Sequence, residues 1–158
     1  VAIIEGVPGM EAAIHRKTGF EEVIATDSRF EIVASQPVNW EGELGRSVAQ
    51  NMLQANPNLK AIFAANDNMG LGAIEAIRAA NKLDQVKVVS FDGIADALDS
   101  IERGEITATI GQYPKKMGES GVTVASELIQ DPHASVEPIY YADIEVVDQS
   151  NLGDYRNG

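Results

Sequence analysis

Polar and aromatic side chains follow the strand-like runs of this sequence at the points where the runs end. Trp40 comes after the second run, Asn66 after the third, Asp92 after the fourth and Gln112 after the fifth. Ligands of open α/β sheets bind outside the carboxyl ends of the strands, so these side chains are expected at one rim. Arg16, one to two turns into the first predicted helix, could reach the same rim.

The chemistry that these residue types share is the recognition of hydroxyl groups. A sugar hydroxyl both donates and accepts hydrogen bonds, so its site needs acceptors and donors together. The Asp92 carboxylate would accept, the Arg16 guanidinium would donate, and the amides of Asn66 and Gln112 would do both. The Trp40 ring offers an apolar face to the C–H side of a sugar ring. The five residues therefore predict a ligand site for a sugar or polyol.

Each residue also has a purely structural interpretation. Asn66 could cap a helix, and Asp92 could belong to a strand-to-helix turn. Trp40 could pack in the core, Arg16 could be an ordinary exposed helix residue, and Gln112 could solvate a turn. That all five should be structural and still fall on one predicted edge is the weaker explanation, so the binding interpretation is favoured.

Templates for catalysis or cofactors find little support. The glycine turn at residues 6–9 lacks the Gly-Lys-Ser/Thr ending of a phosphate loop. His15 and His133 are the only histidines and there is no cysteine, so a metal cluster or a catalytic triad has almost no material. The sequence predicts a protein that is not an enzyme, with no catalytic residue, no metal and no cofactor. An enzyme acting on a sugar stays a weaker alternative, with Asp92 as its candidate base.

Composition bounds the class of protein. The 158 residues suit one domain, and 44% hydrophobic residues allow a real core. No run approaches the roughly 18 apolar residues that a membrane span needs. The net charge of −12 repels phosphate backbones, so nucleic acid is not expected as a partner.

Five β-branched runs alternate with segments of helical period, a pattern that predicts a mainly parallel sheet. Little alternation within the third and fourth runs indicates strands covered on both faces, and hence a three-layer αβα sandwich. Residues 140–147 predict a final edge strand, and residues 148–158 a frayed end. The five runs are Val1–Glu5, Phe30–Ser35, Lys60–Ala65, Lys87–Phe91 and Thr107–Gly111.

Several motifs resemble the second half of ribose-type periplasmic sugar-binding proteins, the type I solute-binding proteins of ABC transporters. The resemblance runs from Val1 to Val147 and places the family's ligand-binding positions on Arg16, Trp40, Asn66, Asp92 and Gln112. The motifs are Glu5-Gly6-Val7-Pro8-Gly9, Ala34-Ser35-Gln36-Pro37, Ile62-Phe63-Ala64-Ala65-Asn66-Asp67, Val89-Ser90-Phe91-Asp92-Gly93 and Thr107 to Pro114.

The resemblance implies a C-terminal lobe over residues 1–158, whose N-terminal partner lobe is missing. It implies that residues 1–112 and 142–148 form the lobe proper, whereas residues 113–141 cross the hinge and pack on the N-terminal lobe. The implied function is to bind a monosaccharide or polyol and deliver it to an ABC permease. The implied location is the periplasm, or the outer surface of a Gram-positive cell, where a lipid would anchor the protein.

Two points remain open. Ribose binders usually carry Phe where this sequence has Trp40, and the larger indole would narrow the slot, so a ribose-like pentose, a hexose or a polyol are all possible ligands. The same fold also serves the effector domains of LacI-type repressors, which is the alternative within binding proteins.

Overall fold

Six strands form one sheet in the part of the chain that the computed structural model describes, residues 1–137 and 139–157. The sheet has the order β2-β1-β3-β4-β5-β6. The strands are β1 (Ala2–Glu5), β2 (Ala34–Pro37), β3 (Ala61–Ala64), β4 (Lys87–Asp92), β5 (Ala108–Gln112) and β6 (Ile144–Val147). The helices are α1 (Glu11–Ala25), α2 (Gly42–Ala55), α3 (Asp67–Ala79), α4 (Ala95–Glu102), α5 (Pro114–Gln130) and α6 (Leu152–Asn157).

The first five strands are parallel and β6 is antiparallel to β5, so the predicted α/β class is confirmed. The predicted starts of β2, at residue 30, and of the last strand, at residue 140, are wrong. In both cases the neighbouring strand does not extend far enough to pair with the first predicted residues. β1 begins at Ala2 opposite Ala34, so residues 30–33 have almost no strand to pair with, and β2 starts only at Ala34. Likewise β5 ends at Gln112 opposite Ile144, so residues 140–143 lie outside the ladder.

Helices cover both faces of the sheet, as the three-layer prediction requires. Ile62 and Ala64 of β3 belong to one core with buried residues of α2, α3 and α4. Phe63 points to the opposite face, because successive strand residues alternate. There its ring stacks on Phe20 of α1 at 4.6 Å between centroids. The sheet is therefore sandwiched between α1 and the α2–α4 layer.

Close packing between α2 and α3 fixes the start of α3, which carries part of the candidate site. A Cβ atom on Gly72 would lie 2.0 Å from the carbonyl oxygen of Gly42, so these helices approach at a distance that only glycine allows. Met69, in the first turn of α3, is fully buried against the same interface.

The C-terminal residues are ordered, so the predicted frayed end is wrong for residues 148–157; Gly158 lies outside the described residues. Leu152 of α6 is buried, and the Tyr155 ring packs on Gly93 and Gly111. The Tyr155 hydroxyl donates to the carbonyl oxygen of Gln112 at 2.6 Å. These contacts tie α6 to the carboxyl ends of β4 and β5.

α5 carries an apolar stripe at helical spacing but has no buried residue; the stripe consists of Met117, Gly121, Val124 and Leu128. Met117, Gly121 and Val124 of the stripe line a groove with residues 140–142. Tyr141, beside the groove, has 91% of its surface exposed. Among the described residues, none of the helices combines the length and the apolar character needed to cross a membrane.

Candidate functional site

All five sequence-predicted residues meet at the carboxyl ends of β3, β4 and β5, which we call the rim. Asp92 ends β4 and Gln112 ends β5, while Asn66 follows β3 and caps α3. Arg16 reaches the rim from α1, and Trp40 from the loop between β2 and α2. The topology that parallel strands impose is what brings them together.

Asp92 lies at the centre of the rim. Its Oδ1 atom lies 3.2 Å from Nη2 of Arg16 and accepts a hydrogen bond from Nε2 of Gln112 at 2.8 Å. Its φ is +128°, a left-handed conformation that is strained for a residue with a side chain. Strain of this kind persists only where surrounding contacts enforce it, and it is common at binding sites.

Burial raises the pKa of the Asp92 carboxyl, although 27% of the side chain stays exposed. The positive charge of Arg16 and the hydrogen bonds from Arg16 and Gln112 act in the opposite direction, whereas the nearby Asp67 carboxyl adds to the rise. The Asp92 carboxylate is thus poorly hydrated and paired with few donors. A ligand hydroxyl that donates to it would replace the missing water.

The Arg16 guanidinium is held on three sides. Its Nη1 donates to the carbonyl oxygen of Ala65 at 2.7 Å, and Nη2 faces Asp92. The Phe91 ring lies beneath it, with 3.8 Å from Cζ to the ring centroid. A guanidinium has five N–H donors, so an arginine held in this way still has donors for a ligand.

Trp40 is half-buried and adopts a φ of +65°. Its ring lies on Gly6, where a Cβ atom would come within 2.0 Å of the indole. Nε1 donates to Sδ of Met10 at 3.3 Å, and Cζ of Arg16 lies 5.7 Å from the ring centroid. Glycine at position 6 is therefore what allows the indole to lie flat at the rim.

Asn66 fulfils its structural interpretation, because its Oδ1 accepts from the Met69 amide at 2.9 Å and so caps α3. Its Nδ2 donates to the carbonyl oxygen of Trp40 at 3.2 Å. With 6% of its surface exposed, Asn66 connects the helix start to the Trp40 loop. Nδ2 carries a second hydrogen, so capping does not exhaust its donors.

Sequence reasoning did not single out two side chains of the rim. Phe91 supports Arg16, but as the last apolar residue of a strand it has the signature of a core residue. Asp67 has a fully buried carboxyl group and holds the turn after Asp92, although its position beside Asn66 indicated only helix capping. Within residues 1–137 and 139–157, no group of three or more His, Asp or Glu could hold a metal ion.

Comparisons of the sequence with known proteins point to one family. The model of the periplasmic binding protein domain matches residues 1–132. The ribose import binding protein of Salmonella typhimurium is 38% identical over 144 residues, which cover 91% of this chain and 47% of that protein. The D-allose-binding periplasmic protein of Escherichia coli is 43% identical over 122 residues, or 77% of this chain and 39% of that protein.

Solved structures agree. A periplasmic solute-binding protein of an ABC transporter from Actinobacillus succinogenes, with bound D-allose, superposes with a TM-score of 0.88 at 39% identity. The match covers 98% of this chain and 54% of that one. The chain thus spans about half the length of the curated relatives it matches. With its sheet order, its rim and these matches, the chain belongs to the periplasmic binding protein domain family.

Proposed function

We propose that this chain is one lobe of a two-lobe receptor that binds a monosaccharide or polyol for an ABC importer. The observation that carries the proposal is the Asp92 cluster, in which a poorly hydrated carboxylate faces Arg16 and Gln112 at the strand ends. The half-buried Trp40 beside it supplies the apolar surface that the C–H face of a sugar ring needs.

The names of the relatives support the ligand class. Two of them are named for ribose import and for D-allose binding, and a third was solved with D-allose bound. We infer a ribose-like pentose, a hexose or a related polyol as the ligand of this receptor. By the same kinship we infer that the receptor works in the periplasm, or outside a Gram-positive cell, and delivers its sugar to a permease.

A second lobe would complete the site. Residues 1–112 and 142–148 would form the lobe described here, and residues 113–141 would cross the hinge to the second lobe. Support comes from α5, whose 17 residues include none that is buried although one side is apolar. A sugar that contacts both lobes would favour the closed arrangement, which the permease would then recognise.

Calorimetry on the two-lobe receptor tests the proposal, with D-ribose, D-allose and myo-inositol as probes. We expect at least one probe to bind and to raise the melting temperature, since a ligand at about 100 times its Kd adds roughly 2.7 kcal/mol of stability. Asp84→Asn, which alters an exposed carboxylate away from the rim, is the control and should bind as the parent does. If no monosaccharide or polyol bound, the proposal would be wrong.

A further inference from the structure

Asp67 is fully buried, with 0% of its surface exposed, and its carboxyl group accepts four hydrogen bonds. All four donors are neutral groups. A carboxyl group is removed from water at a high cost unless hydrogen bonds replace its hydration, and here both oxygens are fully provided for. Such a group has a specific task in the fold.

The two oxygens serve different parts of the structure. Oδ1 accepts from the hydroxyls of Ser90 at 2.5 Å and Thr109 at 2.7 Å, and so joins the centres of β4 and β5. Oδ2 accepts from the amides of Gly93 at 2.7 Å and Ile94 at 2.9 Å. The second pair belongs to the turn that directly follows Asp92.

That turn is unusual in its backbone. Asp92 has a φ of +128° and Gly93 a φ of +79°, so two successive residues adopt left-handed conformations. A residue with a side chain is strained at such a φ, and the surrounding contacts must hold Asp92 there. The hydrogen bonds from the Gly93 and Ile94 amides to Asp67 fix the peptide planes immediately after Asp92.

We propose that Asp67 is a positioning residue of the sugar site, which acts by holding the 92–94 turn so that the Asp92 carboxylate faces Arg16 and Gln112. This inference rests on the proposed function, and Asp67 itself has no place in contact with a ligand. The alternative is that Asp67 serves only the stability of the sheet through Ser90 and Thr109. The separate duties of the two oxygens make the alternatives distinguishable.

Variants of Asp67 and of its hydrogen-bond partner Ser90 provide the comparison. Asp67→Ala removes both acceptors. Asp67→Asn keeps one oxygen for the turn amides, while its NH₂ group can donate to the hydroxyls of Ser90 and Thr109, which also accept. Ser90→Ala removes a donor to Oδ1 and leaves the amides of the turn untouched. Ser90→Ala is therefore the matched control for a loss of stability in the same network.

The test measures D-ribose and D-allose binding to the two-lobe receptor by calorimetry, beside the melting temperature. We expect Asp67→Ala to weaken binding by about 10-fold or more, because the lost hydrogen bonds are charge-assisted ones. Asp67→Asn should fall between Asp67→Ala and the parent, and Ser90→Ala should bind within about 3-fold of the parent despite a lower melting temperature. Unchanged binding by Asp67→Ala, or an equal loss in Ser90→Ala, would overturn the inference.

A second measurement needs neither bound sugar nor the alanine variant. It tests whether Asp67 positions the turn even if the parent binds no probe or Asp67→Ala fails to fold. Amide hydrogen exchange in Asp67→Asn is followed by NMR without ligand. We expect faster exchange at the Gly93 and Ile94 amides, because a neutral oxygen is the weaker acceptor. In Ser90→Ala both amides should match the parent. If Asp67→Asn also matched the parent, Asp67 would not position the turn, whether or not the receptor binds sugar.

Discussion

The surroundings of the Asp92 carboxyl group favour ligand binding more than they favour the stability of the folded chain. Burial raises its pKa, so the folded protein disfavours the ionised form relative to the unfolded chain. A group whose pKa is higher in the folded state than in the unfolded chain makes its full contribution to stability only when the pH lies below its pKa in the unfolded chain. That contribution is lost as the pH rises through the folded pKa. At neutral pH the ionised Asp92 therefore reduces stability.

Asp92→Asn should accordingly separate binding from stability. We expect the free energy of unfolding at about pH 7 to be unchanged or higher in the variant, and the difference to shrink towards about pH 4 as Asp92 of the parent takes up a proton. Sugar binding by the two-lobe receptor should fall by about 10- to 150-fold, the effect of losing a charged hydrogen-bond partner. Urea unfolding and calorimetry measure the two quantities. Intact affinity with lower stability would mean that Asp92 is a turn residue.

Trp40 offers a second prediction at the same scale. Because its indole lies on Gly6 beside Arg16, Trp40→Phe should keep an aromatic face and enlarge the slot. We expect binding to persist while the preference shifts towards the larger D-allose over D-ribose by about 10-fold. Phe30→Leu, which alters an exposed ring before the start of β2, is the control and should not change the ratio. An unaltered ratio in Trp40→Phe would show that Trp40 does not shape the slot.

The positions of the rim residues could be predicted from the sequence because strand ends are visible in it. Asp92 and Gln112 each follow an apolar run, and parallel strands must bring such ends together. The duty of Asp67 could not be predicted, since it depends on hydroxyls and amides at least 23 residues away along the chain. The local sequence pattern predicts that the neighbouring Asn66 caps a helix. It does not predict the hydrogen bonds that Asp67 accepts from distant parts of the chain.

At the scale of elements, α6 shows what local pattern misses. Its six residues contribute a buried Leu152 and the half-buried Tyr155, too few for a helical period to be recognised. A helix this short has little intrinsic stability, so packing against β4 and β5 must hold it. Its effect on the site runs through Tyr155, which packs on Gly93 and Gly111 and donates to Gln112.

Tyr155 variants test that role of α6. Tyr155→Phe keeps the ring and loses the hydrogen bond to the Gln112 carbonyl, so we expect a loss of about 1 kcal/mol in the free energy of unfolding. Tyr155→Ala should lose about 2 kcal/mol or more, below the roughly 3 to 5 kcal/mol of a fully buried ring because Tyr155 is half-exposed. Urea unfolding measures both, with Tyr140→Ala as an exposed control. Equal stability of Tyr155→Ala and the parent would mean that α6 is frayed in solution.

At the scale of the whole molecule, the rim is open on one side. Arg16, Asp92 and Gln112 contact one another across short distances, yet each of them stays partly exposed. The half-buried Phe91 and Ile110 on the α1 face and the uncovered stripe of α5 indicate surfaces that a second body would cover. The described residues form a sheet with a helical layer on each face, and in the proposed two-lobe receptor a second lobe would enclose the rim.

The 158-residue chain by itself should therefore fold but bind sugar poorly. A ligand would contact one wall, lose a large share of its hydrogen bonds, and compete with water for the rest in a medium of high dielectric constant. We expect a Kd for D-allose no tighter than about millimolar, near −4 kcal/mol, compared with much tighter binding by the two-lobe receptor. NMR titration of the Asp92 and Gln112 signals measures the Kd, and analytical ultracentrifugation establishes that the chain is monomeric. Micromolar binding to the monomer would show that this lobe is a complete site, because no second wall would then be needed to exclude water.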